Sequence, residues 1–246
     1  MNLWIFGDSF AEMQSPGQTG PEWQLQIVNH FKCDLYNIAR KGSSSEWITL
    51  QLSKYWKDIS KEDIVIVLVP YWDRQCIFID DPDFNHLPTI ENCNKDQKIK
   101  DRWSKYSKSQ QEAFTKYFMY LHNEELVKLK TKSLYAWINN LKLDIQPLVL
   151  ETRSELTNNY FVNDNYNTAT GNLMDVSLAE WKDINDWYTM TKRSLFSDSR
   201  ISHLTKQNHI VLANKIIKYI ESNTVPDLQT DFHTTFLDKD YVDINV

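Results

Sequence analysis

"NLWIFGDSF", residues 2–10, decides how the rest of the chain is read. Its unbroken apolar run is a buried strand, and the Gly7-Asp8-Ser9 that follows is the sharp turn leaving it. Glycine is scarce, with only Gly7, Gly17, Gly20, Gly42 and Gly171, so each marks a place where a side chain is poorly tolerated. Two of them, Gly7 and Gly42, come directly after strand-like runs or within a few residues of one. Ser9 then has two readings: a hydroxyl that caps the next turn, or a nucleophile.

Working outward, "EWQLQIVNHFK" (22–32) has apolar residues at helical spacing and "DLYNIA" (34–39) reads as a second short strand. "GSSSEWITLQLSKYW" (42–56) places Ser43 as N-cap and Glu46 three residues on, with Trp47, Ile48, Leu52, Tyr55 and Trp56 facing inward. "DIVIVLV" (63–69) is continuously apolar, as a parallel strand covered on both faces must be. Residues 76–105 are polar and irregular, followed by helices near 108–121 and 123–142 and a strand in "IQPLVLET" (145–152). Residues 153–177 read as loop, "SLAEWKDINDWYTMTKRSLF" (177–196) as partly helical, and 205–222 as a last helix with Thr205 as N-cap.

Strand and helix in alternation predict a doubly wound α/β fold. The expectation is one three-layer α/β/α domain over residues 1–222 with a central parallel sheet of about five strands. A helical and loop insertion would occupy about 75–144, and the tail 223–246 reads as a docked arm or as disordered. Neither an internal repeat nor a linker is visible.

A 41% hydrophobic fraction supports a real core, and a net charge of -6 argues against a nucleic-acid footprint. The Lys-rich stretches 95–105 and 127–132 read as solvated helix faces. Cys33, Cys76 and Cys93 form no CxxC pair, which argues against a disulfide framework or a cysteine zinc site. His203 and His209 are six apart, not the i, i+4 of a metal pair, so no metal is expected. The "GSSS" run lacks the lysine and second glycine of a phosphate loop, and no cofactor is expected. With neither a basic leader nor a long apolar span, the expectation is a cytoplasmic protein with no membrane partner, of phage or bacterial origin.

Ser9 follows the first strand, Gly42 the second, and His203 stands just before the last helix. In a doubly wound sheet these loops gather at the carboxyl edge, where such folds bind ligands. Serine needs a base within hydrogen-bond reach, and histidine titrates near working pH. Backbone N–H groups in tight glycine turns suit a developing oxyanion.

On these residues the chain resembles the SGNH (GDSL-type) hydrolases. "IFGDSF" (5–10) is similar to their first block, "NIARKGSSS" (37–45) to the second and "RISHLTKQNHIVLANKI" (200–216) to the last. The resemblance implies a flavodoxin-like strand order, with Ser9 as nucleophile, the Gly42 N–H in the oxyanion hole and His203 as base. His209 and Ala213 hold accompanying positions, where His209 reads as a packing or hydrogen-bonding residue. Two places depart from the family pattern. "VPYWDR" (69–74) puts Trp72 where the third block has its asparagine donor, leaving the indole or Arg74 to donate. Arg200 holds the place of the aspartate three residues before the histidine, with Asp198 two residues earlier. A cation there disfavours an imidazolium, so either Asp198 supplies the acid, Arg200 pairs with a substrate carboxylate, or a Ser-His dyad operates.

The implied reaction is hydrolysis of a carboxylic ester on a small molecule or glycan, O-acetylated sugars being a natural class. A second reading is a fold that has lost its chemistry and serves as a glycan-binding or structural module. A nucleotide- or phosphate-handling protein is a third. Blander roles stand beside each residue: Gly42 in a plain turn, His203 in a cap, Trp72 in the core, and Arg74 and Asp198 in solvent.

Overall fold

The computed structural model describes residues 1–13, 22–71, 104–121, 123–140, 147–152, 167–173, 175–176, 204 and 206–233. In chain order they form β1 (Asn2–Phe6), α1 (Trp23–Phe31), β2 (Asp34–Asn37), α2 (Ser45–Tyr55) and β3 (Ile64–Val69). Then come α3 (Lys108–Tyr120), α4 (Glu124–Asn140), β4 (Leu148–Glu151), β5 (Asn167–Thr168) and α5 (Lys206–Ser222). All five strands are parallel in one sheet of order β2-β1-β3-β4-β5. This is the flavodoxin-like doubly wound order, whose direction of growth reverses between β1 and β3.

The continuous apolar strands are explained by what covers them. Alternate residues of a strand point to opposite faces. Leu3, Ile5, Ile66, Leu68, Leu148 and Leu150 pack with Trp23 and Ile27 of α1 and Leu212, Ala213 and Ile216 of α5. Their neighbours Trp4, Phe6, Val65, Val67 and Val149 pack with Trp47, Ile48 and Leu52 of α2 and Leu134, Tyr135 and Ile138 of α4. The molecule is thus an α/β/α sandwich, with α4 an integral part of one outer layer. Each fully buried leucine, isoleucine, valine or phenylalanine among them contributes roughly 1.5–3 kcal/mol. At the amino edge, Asp63 accepts from Asn2 N at 2.7 Å, Trp4 Nε1 at 3.1 Å and Ser60 N at 2.9 Å. That fixes where β1 and β3 begin.

Two local expectations change. The cap of α2 is Ser44, whose hydroxyl accepts from Trp47 N at 3.3 Å, so Glu46 is the second residue of the helix and closes no capping box. Ser43 is drawn away because its hydroxyl donates to Gly7 O at 2.7 Å. Within the stretch read as loop, Asn167 and Thr168 pair with Leu148 and Val149 as a two-residue edge strand. Beyond α5 the chain returns to the sheet: Leu228 is buried in the core, and its N–H donates to Thr170 O at 2.7 Å. Asn208 on α5 then exchanges two hydrogen bonds with the His233 main chain, at 3.0 and 2.8 Å. The expected helical stretch at 177–196, Thr205, the polar loop 76–103 and the tail beyond 233 lie outside the described residues.

Gly7 follows β1 directly and packs closely against Leu68 of β3. A β-carbon there would stand 2.7 Å from Leu68 Cβ and 3.2 Å from Ala11 Cβ. Neither is the free end of a flexible side chain, so the backbone itself must shift. Gly7→Ala is expected to cost about 1–3 kcal/mol, read as a lower urea midpoint with unchanged slope.

Candidate active site

Gly7 leads into a single helical turn. Ala11 N and Glu12 N both donate to Asp8 O, at 3.0 and 2.9 Å, while Phe10 N donates to Asp8 Oδ1 at 3.0 Å. The carboxylate of Asp8, fully buried, therefore caps this turn. Its second oxygen accepts from Thr152 Oγ1 at 3.2 Å, tying the turn to the end of β4. Ser9 sits on the first residue of that turn at the carboxyl edge of the sheet, 8% exposed.

The second turn is bonded to the first. Ser43 N donates to Arg40 O at 3.2 Å, closing a four-residue turn in which Gly42 has φ +74°. A side chain at that φ would be strained, which accounts for the glycine. Gly7 O accepts from Arg40 N at 3.1 Å and from the Ser43 hydroxyl at 2.7 Å. Ala11 O is likewise held by Asn37 Nδ2 at 2.7 Å and Gln24 Nε2 at 2.8 Å. Ser9 and Gly42 are thus carried on two turns that cannot move independently. Gly42 is buried, yet its N–H donates to no acceptor among the described residues.

The last helix reaches the same region. Leu204, next in the chain to His203, is buried in the cluster that also holds Phe10 and Ala11. His209 Nδ1 accepts from Trp23 N at 3.4 Å, and Trp23 Nε1 donates to Phe10 O at 3.1 Å. His209 is therefore a joint between α5 and the start of α1, in keeping with a hydrogen-bonding role. His203, Asp198, Arg200, Trp72 and Arg74 lie outside the described residues, so only Ser9 and Gly42 of the expected site are placed.

The sequence reading passed over Asp8, Thr152, Glu151 and Tyr135. Glu151 ends β4 opposite Val69, buried, with Tyr135 of α4 donating to its Oε1 at 2.5 Å. Burial pushes its carboxyl from the ordinary 4.5 up to about 7, only partly offset by the tyrosine hydrogen bond. The signal was an acid and a threonine directly after an apolar strand, at the edge where ligands bind. No group of three His, Cys, Asp or Glu able to hold a metal occurs among the described residues. Among those residues, no helix is long and apolar enough to cross a membrane.

Glu151 makes stability depend on pH in a defined direction. Below 4.5 the carboxyl is neutral in both states; between 4.5 and about 7 only the unfolded chain ionises, so stability falls as pH rises. Above that range the loss is complete, about 3 kcal/mol at 1.36 kcal/mol per pH unit. Glu151→Gln, which can still accept from Tyr135, is expected to unfold at higher urea than the parent at pH 8 and at similar urea at pH 4. Chemical denaturation at the two pH values checks this.

No protein-family model matches the chain, and no curated protein matches it. Among solved structures the chain is similar to protein YxiM from Bacillus subtilis, at 13% identity and a TM-score of 0.43. That match covers 90% of this chain and 56% of the other, so this chain spans little more than half of it. It is also similar to a candidate lipolytic protein of the G-D-S-L family from Desulfitobacterium hafniense DCB-2, at 14% identity and a TM-score of 0.25. There 65% of this chain and 83% of the other are covered. At these values it is the strand order and register above that define the fold.

Proposed function

We propose that the chain is a serine esterase of the SGNH (GDSL) type, acting on carboxylic esters of small molecules or glycans. The observation that carries this reading is the bonding of the Gly42 turn to the Ser9 turn through Gly7 O, with the Gly42 N–H donating to no acceptor among the described residues. Leu204, buried in the cluster that holds Phe10 and Ala11, supports it further, because it follows His203 in the sequence.

In the proposed reaction the Ser9 hydroxyl attacks the acyl carbon while His203 accepts its proton. The carbonyl oxygen becomes an oxyanion held by the N–H groups of Gly42 and Ser9. Collapse expels the alcohol, which takes the proton back from His203. Water, deprotonated by His203, then cleaves the acyl-enzyme and restores the Ser9 hydroxyl. Asp198 is the candidate acid behind His203, and Trp72, Arg74 and Arg200 are candidate contacts for the oxyanion or substrate. The rigid pairing of the two turns suits this chemistry, since preorganised donors need no rearrangement when charge develops. A second reading, a glycan-binding module without turnover, is favoured by Trp72 and Arg200 standing where the family has an asparagine and an aspartate.

Turnover of a chromogenic acetyl ester by the parent, Ser9→Ala and His203→Ala separates the two. The esterase reading expects each substitution to lower kcat by roughly 10³-fold or more while the circular dichroism stays unchanged. Equal turnover in all three proteins removes the site, and absent turnover with retention on a glycan array favours the binding module.

A further inference from the structure

The turn that carries Ser9 is held from a second direction. Thr152 directly follows β4, and its N–H donates to Val69 O at 2.9 Å, so its main chain continues the ladder between β3 and β4. Its hydroxyl donates to Asp8 Oδ2 at 3.2 Å. In the sheet, β3 stands between β1 and β4, so this bond reaches over the end of an intervening strand. Neighbouring strands are about 4.8 Å apart, and the two side chains together cross about twice that distance. Both residues are fully buried. The sheet itself does not need the link, because β1 pairs with β3 and β3 with β4 through their own main chains.

What the link does fix is the peptide group between Asp8 and Ser9. Asp8 O accepts from Ala11 N and Glu12 N, and Asp8 Oδ1 accepts from Phe10 N. A peptide group is planar, with its C=O and N–H directed oppositely. Anchoring Asp8 therefore sets the direction of the Ser9 N–H and the point from which the Ser9 side chain leaves. Threonine suits the task, since its branched Cβ restricts rotation and its main chain is already tied to β3. We propose that Thr152 is a positioning residue for the nucleophile, acting through the Asp8 carboxylate. This rests on the esterase reading, in which the Ser9 hydroxyl attacks while the Ser9 and Gly42 N–H groups hold one oxyanion. Gly7 O joins the Ser9 turn to the turn after β2, and Thr152 joins it to the end of β4. Held at two points on opposite sides, the turn cannot swing its donor away from that oxyanion. Such alignment matters because a misplacement of about 1 Å can cost on the order of 10²-fold in rate.

Steady-state kinetics on a chromogenic acetyl ester test this. Thr152→Val keeps the shape of the side chain and removes its hydroxyl. It is expected to lower kcat by about 10-fold or more with KM changed by less than about twofold, at an unchanged circular dichroism spectrum. Thr152→Ser, which keeps the hydroxyl, should stay within about threefold of the parent kcat. Asp8→Asn can still accept from Phe10 N but presents an amide NH2 to Thr152. Adding Thr152→Val to Asp8→Asn should then cost nothing further, because both act through one bond. If Thr152→Val fails to fold, Asp8→Asn alone must lower kcat at unchanged KM. A parent-like kcat in Thr152→Val overturns the proposal, and so does a loss that Thr152→Ser shares or that adds to the loss in Asp8→Asn. A parent no more active than Ser9→Ala instead removes the esterase reading, and this proposal with it.

Discussion

One carbonyl group ties together everything at the carboxyl edge of this sheet. Gly7 O accepts from Arg40 N and from the Ser43 hydroxyl, so the turn after β1 and the turn after β2 share an anchor. Gly7 itself can occupy that point only because it has no β-carbon to press on Leu68. From this joint follow the position of Ser9, the positive φ of Gly42 and the later start of α2 at Ser45. The side-chain cap of α2 falls to Ser44 rather than Ser43 for the same reason.

Around that joint the sheet behaves as a two-sided core. Strands whose every residue is apolar leave no solvated face, and α1 with α5 on one side and α2 with α4 on the other supply the cover. The buried carboxylates at the two edges of the sheet are specifically partnered. Asp63 closes the amino edge by accepting three hydrogen bonds, and Asp8 at the carboxyl edge accepts from a main-chain N–H and from Thr152. Glu151 accepts from Tyr135 of α4, and burial still raises its carboxyl to about 7.

Much of the framework was legible in the sequence because it is local. The apolar run of β3, the helical spacing of α1 and α5 and the alternation of elements each need only a short window of chain. What could not be read depends on distant partners. The N-cap moved by one residue because a carbonyl some 36 positions away claimed the Ser43 hydroxyl. The strand at Asn167–Thr168 carries no apolar signal, since an edge strand of two residues is defined by its neighbour β4. Ser9 and Gly42 could be singled out, but the roles of Asp8 and Thr152 rest on a contact spanning 144 positions. Of the remaining expected residues, His203, Asp198, Arg200, Trp72 and Arg74 lie outside what the structure describes.

The reciprocal pairing of the Asn208 side chain with the His233 main chain has a consequence for the start of α5. Asn208 belongs to the first turn of α5, only five residues beyond His203, while His233 lies well past the end of that helix. The chain thus loops back and clasps the helix at its beginning rather than its end. Order at His233 and order in the first turn of α5 are parts of one unit, so loosening either should loosen the other.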